Sequence, residues 1–228
     1  LIDPDLEQRW HASGLAPLHL AGRDLLPVVQ GGMGVGVSAH RLAGTVAALG
    51  AVGTIASVDL RRHHPDLREA TAHAPKAAVD AANLTALDRE IVAARALAGG
   101  RGIVAVNVMR AVSEYPRYVK QACASGADAI VVGAGLPLAL PDLAADHPDV
   151  ALIPILSDAR GIALIVKKWA RKGRLPDAIV VEHPRHAGGH LGAAKIADLA
   201  DPRFDFENVI PEALAFFRAE GIAAGAIP

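Results

Sequence analysis

His190 follows a glycine pair, Gly188-Gly189, and that pair comes six residues after Glu182, which ends a short apolar run at residues 178–181. Imidazole titrates near pH ~6.5, so a histidine presented on such a bend can exchange a proton at neutral pH. Paired glycines accept positive φ and bring backbone close to a ligand with no side chain in the way. The apolar run is of the type that fills a sheet covered on both faces. Chemistry in α/β proteins sits where such runs give way to charged and glycine residues. The same residues also fit an ordinary turn carrying a surface histidine. The spacing of His183, His186 and His190 invites a metal, but no cysteine lies near and Glu182 points to the other side of an extended chain. No metal site is expected.

The elements that would hold this stretch repeat one pattern of apolar run, turn and amphipathic segment. Strands are expected over residues 25–30, 52–56, 103–109, 129–133, 151–156 and 178–181. Helices are expected over 38–49 with Ser38 as N-cap, then 84–97 stopped by Gly99-Gly100, 115–125, 159–172 and 208–220. Residues 57–82, rich in His, Arg and Pro, read as a loop insertion with one short helix, and 135–149 as a proline-containing connection. Six strand–helix units imply a parallel sheet, because each parallel connection needs a crossover. Polar or glycine residues follow every strand, and the units repeat without a reversal. The expected fold is therefore an α/β, TIM-type (β/α)8 barrel with only about the first six βα units present, in a single domain over residues 1–228. A seventh strand would begin at Ala226-Ile227-Pro228, and an open barrel exposes edges and core. A continuation beyond Pro228, or a second completing piece, is expected, and Leu1 implies a preceding piece.

Composition bounds the function. With 228 residues, 52% hydrophobic and 21% charged, the chain can bury a large core and is not disordered. A net charge of −1 with interspersed signs leaves no footprint for nucleic acid or an anionic membrane. Arg61-Arg62-His63-His64 reads as a solvated loop. The single cysteine, Cys123, excludes an internal disulfide and fits a reducing compartment, with burial on a helix. No secretory signal is seen and no apolar run reaches ~18 residues. A cytoplasmic protein is expected, and a homo-oligomer is compatible with the sequence. Trp10, Trp169, Phe216 and Phe217 are expected beneath helices on the outer surface of the barrel. Lys167, Lys168, Arg171 and Lys172 are expected at the solvated end of the fifth helix.

Five segments occur in a telling order: residues 26–34 (Leu-Pro-Val-Val-Gln-Gly-Gly-Met-Gly), 52–57 (Val-Gly-Thr-Ile-Ala-Ser), Asn107-Val108-Met109, 126–135, and Ala187-Gly188-Gly189-His190. Together they resemble the nitronate monooxygenases, formerly called 2-nitropropane dioxygenases, from about residue 25 to the end. The resemblance implies an FMN-dependent barrel that oxidises alkyl nitronates or nitroalkanes with molecular oxygen and needs no nicotinamide. It implies His190 as the catalytic residue. It places Gly31, Gly32, Met33, Asn107, Ser157, Glu182, Gly188 and Gly189 at the cofactor. Those types suit the roles: glycines let N–H groups approach a flat ring, Met33 offers a polarizable contact, and Asn107 and Ser157 hydrogen-bond flavin edge atoms or phosphate. Neutral His190 could take a proton from a nitroalkane, and protonated His190 could hold the nitronate anion. The chain departs from the family pattern where His183, Arg185 and His186 crowd the segment before Ala187. Barrels of this type grip phosphate with loops after the seventh and eighth strands, so residues 1–228 alone are expected to bind FMN poorly.

Three other readings remain open. One is an FMN- and NAD(P)H-dependent reductase resembling the bacterial enoyl-acyl-carrier-protein reductases, which share the Gly-Gly-His element. Another takes residues 34–39, with Asp59 downstream, as a dinucleotide-binding turn. The last is a non-catalytic barrel fragment with an interaction role.

Overall fold

The computed structural model describes residues 4–188, 193 and 195–228. After helix α1 (Pro4–Ser13), strands β1 (Leu18–Leu20) and β2 (Arg23–Leu25) form an antiparallel hairpin. Six strands then lie in chain order in one parallel sheet: β3 (Val29–Gln30), β4 (Val52–Ala56), β5 (Ile103–Met109), β6 (Ala129–Gly133), β7 (Ala151–Leu156) and β8 (Val180–Val181). The order never reverses, which matches part of a TIM-type barrel and not a doubly wound sheet. The crossovers carry α2 (His40–Ala48), α3 (Pro65–Ala70), α4 (Lys76–Ala98), α5 (Tyr115–Ala124), α6 (Leu140–Leu143) and α7 (Ala159–Ala170), and α8 (Phe206–Ala219) follows β8. No helix among the described residues is long and apolar enough to cross a membrane.

The two-residue period of the strands builds two cores. Val104, Val106, Val108, Ile130, Val132, Leu152 and Leu156 point outward into the layer shared with the helices, where Trp169 is fully buried. Val52, Ile103, Ala105, Ala129, Val131, Ala151 and Ile153 point inward, and Leu20 and Leu25 of the hairpin plug that inner face. The inward parity of β5 runs Ile103, Ala105, Asn107, so the first polar side chain on this face stands at the strand's carboxyl end. Cys123 is buried on α5, and burial pushes its thiol up to about 11.

Several local expectations need correction. The strand expected over 25–30 is only Val29–Gln30: Pro27 supplies no N–H, Val28 N–H turns back to the Leu26 carbonyl at 2.7 Å, and Leu25 belongs to the hairpin. Helix α2 begins at His40 rather than 38, with Ala39 as N-cap, and Ser38 makes no capping bond. Helix α4 begins at Lys76, inside the stretch read as insertion, because its alanine-rich first turns have high helix propensity without apolar periodicity. The rest of 57–82 holds a 3-10 turn over Leu60–His63 and α3. The basic cluster there is split: Arg61 and His64 side chains are only 14% and 18% exposed, each beside a carboxylate, whereas Arg62 and His63 are solvated as expected. Trp10 is half-buried on α1, a helix with no buried residue, and its indole N–H bonds the Leu15 carbonyl, so it is not part of the outer core. The basic end of α7 is solvated as expected: Lys167, Lys168, Arg171 and Lys172 are all exposed, with Lys167 paired to Glu220 and Lys172 to Asp142 and the Leu138 carbonyl.

Candidate functional site

The loop leaving β3 is knotted on itself. Ser38 is fully buried; its hydroxyl accepts from Met33 N–H at 2.9 Å and from the Gln30 amide at 2.8 Å and donates to the Gly31 carbonyl at 3.2 Å. Gln30 also accepts from Thr54 N–H at 3.0 Å, fixing the loop to the neighbouring strand. From outside, buried Glu90 of α4 accepts from His40 N–H at 2.6 Å, replacing the missing cap of α2, and lies 2.7 Å from His40 Nδ1 and 3.0 Å from His64 Nε2. The His63 ring lies against Gly36, where a Cβ would sit 1.5 Å from Nε2. Glycine is required there by space and by its φ of +68°.

This held loop forms one wall of a cavity of about 430 Å³ on the inner face of the sheet, running from Leu18 and Leu20 of the hairpin to the carboxyl ends of the strands. Gly31 and Gly32 from the loop, Thr54, Asn107, Glu182 and Gly188 line its rim, above an apolar interior that includes Val52, Val131 and Ile153. Its size lies within the ~300–1,000 Å³ of small-molecule sites. Gly32 packs so close to Asn107 that an added Cβ would meet the Asn107 Cβ at 2.6 Å, whereas Gly31 and Gly188 face open space. A second cavity of about 410 Å³ shares Gly32, Asn107 and Gly188 and adds Met33, Gly34, Ala56, Val58 and Met109. A third, about 360 Å³, adjoins through Ile155 and Glu182 and is lined by Ser157, Asp158 and Gly135 among others.

Of the expected site residues, Gly31, Gly32, Asn107, Glu182 and Gly188 thus share one cavity, Met33 stands in the second, and Ser157 stands apart in the third. Gly189 and His190 lie outside the described residues. Thr54 was not legible as a site residue: it reads as an ordinary strand threonine, yet its hydroxyl is buried beside the cavity with no hydrogen-bond partner among the described residues. Ser57, just past the end of the same strand, is also buried, its hydroxyl without a hydrogen-bond partner among the described residues. Asp59, required by the dinucleotide reading, lines none of these cavities and pairs instead with Arg61 at 3.5 Å and Arg62 at 2.5 Å. His183 lies 3.3 Å from Asp205 and accepts from Arg185 N–H, and no group able to hold a metal occurs among the described residues.

A rim of glycine backbone and an amide over an apolar interior suits a flat ring with polar edges. The residues present fit the ring of FMN in that chemical sense.

A family model of nitronate monooxygenase matches residues 23–228. The chain belongs to that family. Among solved structures, this nitronate monooxygenase-family chain is similar to the nitroalkane oxidase from Streptomyces ansochromogenes, with TM-score 0.60, 13% identity, and coverage of 83% of this chain and 55% of that one. It is also similar to FabK from Thermotoga maritima, with TM-score 0.52, 20% identity, and coverage of 77% and 45%. At these identities the likeness shows the fold, and the chain spans about half the length of the structures it matches. No curated protein sequence matches it.

Proposed function

We propose that the protein is an FMN-dependent oxidoreductase that oxidises alkyl nitronates or nitroalkanes with molecular oxygen. The observation that carries this reading is the meeting of Gly31, Gly32, Asn107, Glu182 and Gly188, from separate strand ends, on one cavity in a chain of the nitronate monooxygenase family. Gly31, Gly32 and Met33 would lie along the flavin, and Gly188 and Gly189 would also belong to the cofactor site. Thr54 and Asn107 would meet its polar edges, and Ser157 and Glu182 would contact its outer parts. The flavin, when bound, supplies the electron chemistry. His190 would accept the carbon-bound proton of a nitroalkane, a role typically worth 10²–10⁴-fold, and in its protonated form would hold the nitronate oxygens.

The test is an absorbance spectrum of the full-length protein, followed by anaerobic addition of a nitronate and, separately, of NADPH. A yellow protein reduced by the nitronate, with His190→Ala losing turnover of the neutral nitroalkane about 100-fold or more, is the expected result. Flavin reduced by NADPH alone would replace this reading with a reductase, and a protein that takes up no FMN would end it.

A further inference from the structure

Helix α2 has no local cap, and the group that replaces one reaches the cofactor loop from behind. Ala39 stands at the N-cap position and offers no side-chain oxygen, while the Ser38 hydroxyl is committed to Met33 N–H and the Gly31 carbonyl inside the loop. The cap comes from Glu90, 50 residues beyond His40 in α4 and only 2% exposed. One carboxylate oxygen accepts the His40 backbone N–H at 2.6 Å and lies 2.7 Å from its ring Nδ1. The other lies 3.0 Å from His64 Nε2, directly after the 3-10 turn whose His63 ring packs on Gly36 of the loop. One buried group thus holds both the loop's exit and the turn that backs it. One helical turn further on, a Cβ at Gly44 would meet the Ala94 carbonyl at 2.9 Å, so α2 and α4 are in close contact beyond it. No lysine or arginine pairs with Glu90 among the described residues. A desolvated carboxylate is costly, and an apolar replacement is often neutral for a fold, so helix packing by itself does not call for a glutamate here.

We propose that Glu90 is a positioning residue for the cofactor. By capping α2 from α4 it leaves Ser38 to order residues 31–38, and by holding the turn at His64 it fixes that loop in the shape that receives the flavin. The inference rests on the function proposed above. Glu90 lines none of the three cavities, so it acts only through the loop. A loop already held in its binding shape loses less freedom when the ligand arrives, and the difference appears as affinity.

The experiment uses the full-length protein and FMN. Glu90→Gln keeps the size of the side chain but turns one acceptor oxygen into a donor. Its dissociation constant for FMN should rise about tenfold, and the absorbance bands of the bound flavin should move toward those of FMN in water. Ala39→Ser added to that variant supplies a local cap. It should return the denaturant midpoint toward the parent while affinity and spectrum stay as in Glu90→Gln, which a purely structural glutamate would not allow. His40→Asn places an amide N–H where ring Nδ1 stands and should keep FMN affinity within about twofold of the parent, whereas His40→Leu should resemble Glu90→Gln. The His40 side chain is 35% exposed, so this pair carries the test if Glu90→Gln does not fold. Unchanged affinity and spectrum in Glu90→Gln or His40→Leu, equal losses in His40→Asn and His40→Leu, or FMN binding fully recovered by Ala39→Ser would overturn the proposal. A parent that holds FMN but is not reduced by nitronates, with the variants behaving as expected, removes the oxidase reading and keeps the positioning role. A parent reduced by nitronates, with FMN binding unmoved in the variants, does the reverse.

Discussion

The two ends of the parallel sheet treat polar groups in opposite ways. At the amino-terminal end, Asp128 accepts from Val104 N–H at 2.9 Å and from Arg95 at 3.1 Å, with Arg23 of the hairpin at 3.3 Å, and Asp177 accepts from Leu152 N–H at 2.8 Å and Arg174 at 2.7 Å. Each carboxylate ties one strand's backbone to the next strand and to an arginine. At the carboxyl end, the Thr54 and Ser57 hydroxyls are buried without hydrogen-bond partners among the described residues. Unmet hydrogen-bonding capacity costs stability unless something else meets it. The amino-terminal end is therefore held strand to strand by these carboxylates, whereas the carboxyl end, where βα-barrels place their ligands, leaves two buried hydroxyls unbonded among the described residues.

Asp128→Ala tests this division most severely. It orphans Val104 N–H and takes the carboxylate from Arg23 and Arg95, which keep only the Gly102 and Gly126 carbonyls, and we expect a loss of about 3 kcal/mol in denaturant unfolding. FMN affinity of the full-length protein, measured where it remains folded, should change less than about twofold; a matching loss of affinity would show that the two ends are not separable. Gly32→Ala is the counterpart at the other end. Its Cβ would press on Asn107 at 2.6 Å, so we expect about 1 kcal/mol of destabilisation but about tenfold weaker FMN binding as Asn107 is displaced. Unchanged FMN binding would remove Gly32 and Asn107 from the cofactor site.

This division was only half visible in the sequence. Strands β4, β5, β6 and β7 could be bounded correctly because each is an apolar run set off by glycine or charge, and Asn107 and Glu182 were conspicuous as the polar residues that end such runs. The hairpin escaped because three-residue strands carry too little pattern. Glu90 escaped for another reason: a glutamate amid a helix of mixed charge reads as solvated, and its partners His40 and His64 lie 50 and 26 residues away in sequence. Ser38 looked like a cap since serine before an apolar helix usually is one, but the loop's own backbone groups compete for its hydroxyl. Long-range partners of this kind are set by packing, which no local window contains.

An intermediate effect comes from α5, away from both ends. Burial raises the Tyr115 phenol to about 12 against partial opposition from Arg110, and the Cys123 thiol to about 11. Both groups stay protonated in the folded chain at a pH where the unfolded chain has released the proton. Their stabilisation is complete below pH ~9 and is lost as pH rises through 11 to 12, with a slope of at most ~1.4 kcal/mol per pH unit for each group. Denaturant midpoints measured from pH 8 to 11.5 should be flat and then fall, and Tyr115→Phe should shallow the fall above pH 10. An identical profile in that variant would mean the phenol does not titrate with unfolding. FMN affinity at pH 8 should be untouched by Tyr115→Phe, since this hydroxyl, though buried and unpartnered like that of Thr54, faces packed core and lines none of the three cavities.

Thr54 is where the distinction becomes finest. Val52 and Val131 line the same cavity, so valine at 54 would suit its packing, and an unpartnered buried hydroxyl is a cost that Thr54→Val removes. The variant should be more stable than the parent by up to about 1 kcal/mol in the absence of FMN. If the hydroxyl is kept for the cofactor, the same change should weaken FMN binding by about fivefold, the worth of one neutral hydrogen bond, while Thr54→Ser retains the affinity and gives up only the packing of a methyl group. Stability and affinity moving in opposite directions in one variant is a signature that a purely structural threonine cannot produce. Stability gained with affinity intact would make Thr54 an ordinary packing defect and would confine the polar side chains at the cofactor's edge to Asn107 and its neighbours on the later loops.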